Sequence, residues 1–342
     1  LKPITVNVDF EERLQGKPPR LSLRASVEFL ALWVQEKPLL ASRPYSEEYL
    51  HYVRTHSGHP ARTMSQGEAE NWWGDTADVE RMRRLSSKTE FLHWWQARWP
   101  LEARACIAWN EIEAAVGEGQ WLIKKSDGMS GRGHLRVSRS ELPTLRSRLE
   151  SNLGAGVVVE PLYQRTRDLS ALWLPEEKRF IYYRNLIDER FQWRGAILEI
   201  ENQATQLAGT GEWSDHLQQL QKDVFQQGYG GPFSVDAFFY GQGGKEIFHP
   251  GSEMNPRKTM GWITYQLWQK QKSKVVSLAL QPLVLKGESW ETTAQLSDAK
   301  LLSPESCPFM WYWIEAENLA ELEEKRACFL RAIPADPIRG KA

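Results

Sequence analysis

Three glycines fall within six residues in the segment WLIKKSDGMSGRG, residues 121–133, at Gly128, Gly131 and Gly133. Glycines so spaced let backbone amides point into one concavity, and such a nest binds phosphate oxygens. Lys124, at the end of the strand that leads into the loop, can supply positive charge to the same phosphates. The spacing is not the GxxxxGK[ST] of a P-loop. Nor is it GxGxxG: the order here is GxxGxG, and a strand rather than a helix follows. A plain hairpin loop is the competing reading.

A second group of residues could hold a divalent cation. In Phe233-Ser-Val-Asp-Ala-Phe-Phe-Tyr240, alternation sets Val235, Ala237 and Phe239 on one face and Asp236 on the other. A carboxylate inside so apolar a strand needs a cation or hydrogen-bond donors. In the segment from His249 to Gly261, an extended chain would put Glu253 and Asn255 on one face. Two carboxylates and an amide oxygen make a hard oxygen site suited to Mg²⁺, with substrate phosphates completing the octahedron. Asp236, Glu253 and Asn255 together could hold two such ions, and Arg257 could reach a transferring phosphoryl group. The plainer readings are a sheet-surface Asp and a polar loop. Lys88, in the first turn of a helix, and Glu160, after three valines, read in isolation as a solvated lysine and a strand-end acid.

Several elements must position these residues. Residues 4–9 alternate like a strand, 24–36 read as a helix, 38–42 as a strand and 46–56 as a helix closed by Gly58 and Pro60. An irregular stretch is expected over 64–78. Ser87-Lys88-Thr89-Glu90 is a capping box opening a helix that Pro100 ends. Strands are expected at 121–124, 134–137 and 157–159, with a helix from Ser140 between the last two. Residues 179–185 and 194–200 read as paired strands. Ser214 should cap a helix that Gly228 ends. Residues 233–240 and 246–249 form a hairpin around Gly241 to Gly244, and the tail holds a strand at 309–314 and a helix at 316–331.

With 342 residues, the chain is long enough for two or three compact units. Its net charge of -1 gives no global field to draw it to nucleic acid or an anionic membrane. No stretch approaches the roughly 20 apolar residues of a membrane span. The first residues lack a signal-peptide apolar centre, and the three cysteines are far apart, so a reduced cytoplasmic setting is expected. The 16 tryptophans, including the doublets Trp72-Trp73 and Trp94-Trp95, read best as core anchors.

The order of parts is a lysine, a second lysine with a glycine-rich loop, a valine run ending in Glu, an Asp on a strand, then Glu-x-Asn. In this order the chain resembles the ATP-grasp ligases over roughly residues 85–265. Glu253-Met-Asn-Pro-Arg257 resembles their E-[IVM]-N-P-R motif, and SSKTEFLHWWQARWP resembles the segment where an ATP-contacting lysine opens a helix. The resemblance implies an α+β ATP-grasp fold: a pre-grasp αβ domain at 1–85, a small lid subdomain at 86–162, and a large subdomain with a C-terminal extension at 163–342.

It further implies that Lys88 and Lys124 contact the α- and β-phosphates of ATP. The loop from Gly128 through Ser130 and Gly131 to Gly133 would close over the β- and γ-phosphates. Glu160 would face the adenine amino group, with backbone near Leu162 reading the base edge, and Asp168 would hold the ribose hydroxyls. Asp236, Glu253 and Asn255 would bind Mg²⁺, and Arg257 would steady an acyl phosphate. The sequence departs at Ser234, where some ligases place an arginine; Arg184 or Arg179 is the expected substitute.

The activity implied is ATP-dependent joining of a carboxylate, such as an amino acid, to an amine through an acyl phosphate. The partners would be those small molecules, and a homodimer is compatible with the family. A small-molecule kinase on the same fold and a non-catalytic nucleotide-binding module are the alternatives. Serine chemistry fits poorly, because Ser130 is not in a G-x-S-x-G elbow. The seven histidines form no HExxH pair.

Overall fold

The computed structural model describes residues 1–128, 134–150, 153–200, 209–271, 274–282, 299–304 and 306–332. Ser130, Gly131 and Gly133 lie outside them, so the expectation for the glycine loop can be followed only at Gly128. The chain divides into two compact units, each built from segments distant in sequence. One comprises Leu1–Thr76, Arg194–Gln203 and Lys258–Ala342, the other Ala77–Trp193 and Ala204–Arg257.

The first unit opens with a small parallel sheet in the order Thr63–Met64, Leu39–Leu40, Ile4–Thr5, Glu70–Asn71. One of these strands, Glu70–Asn71, lies in the stretch expected to be irregular, and Thr63–Met64 runs into its start. They are too short to show alternation, and parallel pairing is set by distant partners. The strand expected over 4–9 stops at Thr5. Asn7 is instead tied down, its side chain accepting from the Trp73 amide at 2.9 Å and donating to the Gly74 carbonyl at 2.8 Å.

The single helix expected at 24–36 is two, Leu21–Ala25 and Leu30–Val34. The Ser26 hydroxyl donates back to the Leu23 carbonyl at 2.7 Å, a local bond that competes with helix propagation. The helix Glu47–Ser57 forms as expected, with Ser46 accepting from the Tyr49 amide and Gly58 at φ 71° ending it. Trp33 is buried and donates to the Leu302 carbonyl at 3.0 Å. Farther along the chain, Val275–Pro282 pairs antiparallel with Phe309–Ala316, and the helices Met260–Gln271 and Leu319–Ala332 complete this unit.

The second unit carries two antiparallel sheets. One runs Arg104–Cys106, Val157–Pro161, Gln120–Lys125, Leu135–Ser138. Its apolar face closes over Trp109, Ile112, Ile123, Val137, Leu149 and Val159. The other runs Lys245–Asn255, Phe233–Gln242, Arg165–Leu174, Arg179–Ile187. The strand Arg165–Leu174 was not anticipated from the sequence. It is the partner of both Phe233–Gln242 and Arg179–Ile187, so it sits in the interior of this group.

Gly243 and Gly244, at φ 58° and 76°, make the tight turn between Phe233–Gln242 and Lys245–Asn255. The helix Trp213–Gln226 starts one residue before the expected cap, with Glu212 rather than Ser214 in the cap position; the buried Trp213 indole anchors that start. Trp72, Trp73 and Trp95 are buried core residues, as the composition suggested. Among the described residues no helix is long and apolar enough to cross a membrane.

Candidate active site

The site is built on the second unit, from facing ladder positions. Asp236 lies directly across from Glu253 on one side and from Ser170 on the other. Side chains directly opposite in an antiparallel pair stand about 5 Å apart at Cβ and share a face. Asp236, Ser170 and Glu253 are therefore brought together by register, although they come from three separate strands. Asn255, across from Ser234, falls on the same face and donates from Nδ2 to Asp236 Oδ2 at 3.1 Å. The extended form expected for the Glu253–Asn255 segment is what the strand shows.

Asp236 is held by a relay of hydrogen bonds that the sequence did not reveal. Its Oδ1 accepts from the Ser170 hydroxyl at 2.5 Å, and that hydroxyl accepts from Asn185 Nδ2 at 2.6 Å. Asn185 Oδ1 in turn accepts from the Trp193 indole at 3.2 Å. Each member sits on a different strand, so no sequence spacing links them.

Lys88 reaches this cluster through the helix Lys88–Gln96. The Ser87 hydroxyl caps that helix by accepting from the Glu90 amide, and it also bonds the Ser126 hydroxyl at 2.8 Å. The Lys88 amide donates to the Ser126 carbonyl at 3.0 Å, which fixes the helix start against the chain leaving Gln120–Lys125. The far end is fixed by Trp95, whose indole lies over Gly251; a Cβ there would sit 2.7 Å from Nε1. Between these two anchors Lys88 is buried, with Nζ 2.7 Å from Glu253 Oε2 and donating also to the Gly128 carbonyl. It is not a solvated lysine.

Lys124 and Glu160 form a second buried pair, Nζ to Oε2 at 2.8 Å. They lie on adjacent strands, Glu160 across from Leu122 and Lys124 across from Val158, so they are diagonal neighbours on one face. Glu160 Oε1 has no partner. Burial acts to raise the Glu160 pKa, but Lys124, His249 and Arg165 together outweigh it and hold the carboxyl below its usual range.

The electrostatics of the Asp236–Glu253 pair are unequal. Burial and the neighbouring Glu253 charge push Asp236 upward. Burial also acts to raise Glu253, but Lys88, with Lys124 and His134 behind it, overrides that and pulls Glu253 down. The close Glu253 charge and the burial together make Asp236 the readier of the two carboxylates to take up a proton, and a bound cation would relieve the same repulsion. Among the described residues there is no cluster of three or more His, Cys, Asp or Glu arranged for a metal. The donor set is two carboxylates and an amide, which suits Mg²⁺ with its few protein oxygens.

The remaining expected residues divide. Asn255 Oδ1 accepts from Arg257 at 3.1 Å, so Arg257 lies at the edge of the cluster. Asp168 is on the same sheet face, across from Phe238, and pairs with Arg165 at 2.9 Å. Burial raises its pKa, with Arg165 opposing. The Leu162 amide is taken by the Gln120 carbonyl at 2.8 Å and is not available to read a base edge.

Arg184 is not brought to the cluster. It pairs with Leu169, which pairs with Ala237, and so it stands on the face opposite Asp236. Arg179 is at the far end of its strand, bound to Glu177 at 2.7 Å. Ser234, the point of departure from the family pattern, is buried with its hydroxyl unpartnered.

No family model matches the chain, and no curated protein sequence is similar to it. Solved structures are similar to it. The N5-carboxyaminoimidazole ribonucleotide synthetase of Thermus thermophilus superposes with a TM-score of 0.53 at 14% identity, over 98% of this chain and 99% of that one. The Staphylococcus aureus N5-carboxyaminoimidazole synthetase complexed with ADP gives 0.51 at 10% identity, over 77% and 75%. The Aspergillus clavatus enzyme, in complex with ADP and 5-aminoimidazole ribonucleotide, gives 0.50 at 12% identity, over 78% and 77%. Likeness at this level of identity establishes architecture, and the architecture of this chain is the α+β ATP-grasp fold.

Proposed function

We propose that the chain is an ATP-dependent ligase that activates a small carboxylate as an acyl phosphate and joins it to an amine. The observation that carries this reading is the convergence of Asp236, Glu253, Asn255 and Lys88 on one sheet face. ADP bound in two of the similar structures supports a nucleotide at such a site. Residues 1–85 would then be the pre-grasp unit, 86–162 the small subdomain and 163–342 the large one.

In this reading Asp236, Glu253 and Asn255 would hold Mg²⁺, which supplies charge neutralisation for the polyphosphate. Lys88, on its anchored helix, and Lys124, on the strand Gln120–Lys125, would both donate to phosphate oxygens. With ATP present, Lys88 exchanges its carboxylate and carbonyl partners for phosphate at little cost in reorganisation, because its helix is fixed at both ends. Arg257 orients the attacking carboxylate beside the transferring phosphoryl group. The carboxylate oxygen bonds to the γ-phosphorus and ADP leaves. The amine nitrogen then bonds to the acyl carbon, phosphate leaves, and the amine proton passes to solvent or base. Carboxylate and amine substrates are small molecules, and amino acids are the first class to test.

The test is ADP release from ATP and Mg²⁺ with pairs of carboxylates and amines, bicarbonate included, followed by hydroxylamine trapping. A hydroxamate is the expected product. A phosphorylated hydroxyl that survives hydroxylamine would instead identify a kinase and end the ligase reading.

A further inference from the structure

Phe191 has φ 58°, in the left-handed region that a bulky side chain rarely enters. The turn around it imposes this. The Asp188 amide donates to the Gln192 carbonyl at 3.0 Å, and the Asp188 carbonyl accepts from the Phe191 amide at 2.9 Å. Its carboxylate accepts from the Arg190 and Gln192 amides, each at 2.9 Å. Glycine or asparagine would adopt the same turn with less strain, so the contacts of the phenyl ring must offset that strain.

Those contacts are chiefly guanidinium faces. Arg136 stands over the ring at 5.0 Å and Arg165 at 5.2 Å, both within cation–π range. The His134 ring lies 5.8 Å away. Arg136 also donates from Nη2 to the Glu189 carbonyl in the same turn. These partners come from two different sheets. His134 precedes, and Arg136 belongs to, Leu135–Ser138, the edge strand paired on one side with Gln120–Lys125. Arg165 opens Arg165–Leu174, in the interior of the other sheet, and its guanidinium also lies 4.0 Å over the Phe238 ring.

We propose that Phe191 is a catch that fastens the edge of the small sheet to this turn, and that nucleotide enters and leaves the site only when the catch is undone. The gating role rests on the nucleotide reading of the site. The catch borders that site: His134 is within electrostatic range of Lys124, Lys88, Glu253 and Glu160, the charged groups of both buried pairs. Cation–π contacts at a partly exposed ring are weak one by one, so two of them can hold an edge strand and still release it. Aliphatic burial in their place would resist opening far more strongly. A catch made both before and after binding alters the rates of passage and leaves the equilibrium unchanged.

The experiment uses the full chain. ADP binding with Mg²⁺ is followed by stopped-flow tryptophan fluorescence, and hydrogen exchange of the nucleotide-free protein by mass spectrometry. Phe191→Asn suits the left-handed backbone but has no aromatic face. It should raise the association and dissociation rates of ADP about tenfold each and leave Kd within about threefold. Without nucleotide, the amides of Leu135–Ser138 should exchange about tenfold faster, while those of Val157–Pro161 do not change. Phe191→Tyr, which keeps the face, should behave as the unaltered chain, and Arg136→Gln should behave as Phe191→Asn.

Unchanged rates and unchanged exchange in Phe191→Asn overturn the proposal while leaving the nucleotide site intact. So does a loss of ADP affinity carried by dissociation alone, which would make the ring a nucleotide contact. If the unaltered chain binds no ADP at all, the nucleotide reading itself fails and the gating role goes with it. Should Phe191→Asn not fold, Arg136→Gln, at an exposed position, decides the matter by the same two measurements.

Discussion

Lys124 and Glu160 bury an ion pair at 2.8 Å, with one carboxylate oxygen left over for something else to bind. Removing one partner of such a pair leaves an uncompensated charge, which costs about 3–5 kcal/mol. Lys124→Met should therefore destabilise the protein by about that much in urea, and the double variant Lys124→Met/Glu160→Gln should recover most of it. The depressed Glu160 pKa means its contribution is fully present above the ordinary carboxylate range and is lost as pH falls below that range. Unfolding titrations at descending pH should show this loss in the unaltered chain and not in the double variant.

Asp236→Asn and Glu253→Gln should each lower turnover by at least about 100-fold. The metal-free protein tells more. Because burial and the Glu253 charge raise the Asp236 pKa, Asp236→Asn removes a like-charge contact. The variant should melt no lower than the unaltered chain without Mg²⁺, and it should lose the Tm increase that Mg²⁺ and ADP together produce. A normal increase would remove Asp236 from the ion site.

The Ser170–Asn185–Trp193 relay aims the Asp236 carboxylate. Orienting partners of metal ligands are worth about 10–100-fold in metal affinity. Ser170→Ala should raise the Mg²⁺ concentration for half-maximal activity by that factor while changing stability by about 1–2 kcal/mol. Unchanged Mg²⁺ dependence would assign the relay a purely structural role.

Gly251→Ala should act at a distance. Its Cβ would lie 2.7 Å from the Trp95 indole nitrogen, so the ring, or the helix that carries it and Lys88, must shift. ADP affinity should fall about tenfold, and adding Trp95→Phe should restore part of it by trimming the ring. If both single and double variants bind ADP normally, Lys88 is not held by this contact.

Two arginines separate by face. Arg257 touches Asn255 beside the carboxylates, whereas Arg184 pairs with Leu169 on the reverse of the sheet. Arg257→Ala should lower kcat/KM for the carboxylate by about 100-fold, and Arg184→Ala should leave it within about threefold. The opposite order, measured by initial rates, would show that the sheet face does not decide the role.

The sequence by itself determined the local chemistry and the local turns. Alternation placed Asp236 opposite its apolar neighbours, Ser46 and Gly58 bracketed a helix, and Gly243-Gly244 closed a hairpin, because periodicity and φ preferences act within a few residues. Composition and the order of Lys88, Lys124, Glu160, Asp236, Glu253 and Asn255 sufficed to suggest a phosphate and cation site. Only the tertiary structure decided which of these meet. Ladder register sets Asp236 against Glu253 and Ser170, turns Arg184 to the other face, and hands the Leu162 amide to Gln120. Register between strands tens of residues apart is fixed by packing and hydrogen bonding across the whole sheet, and a one-residue slip would exchange its faces, so no local pattern could carry that information.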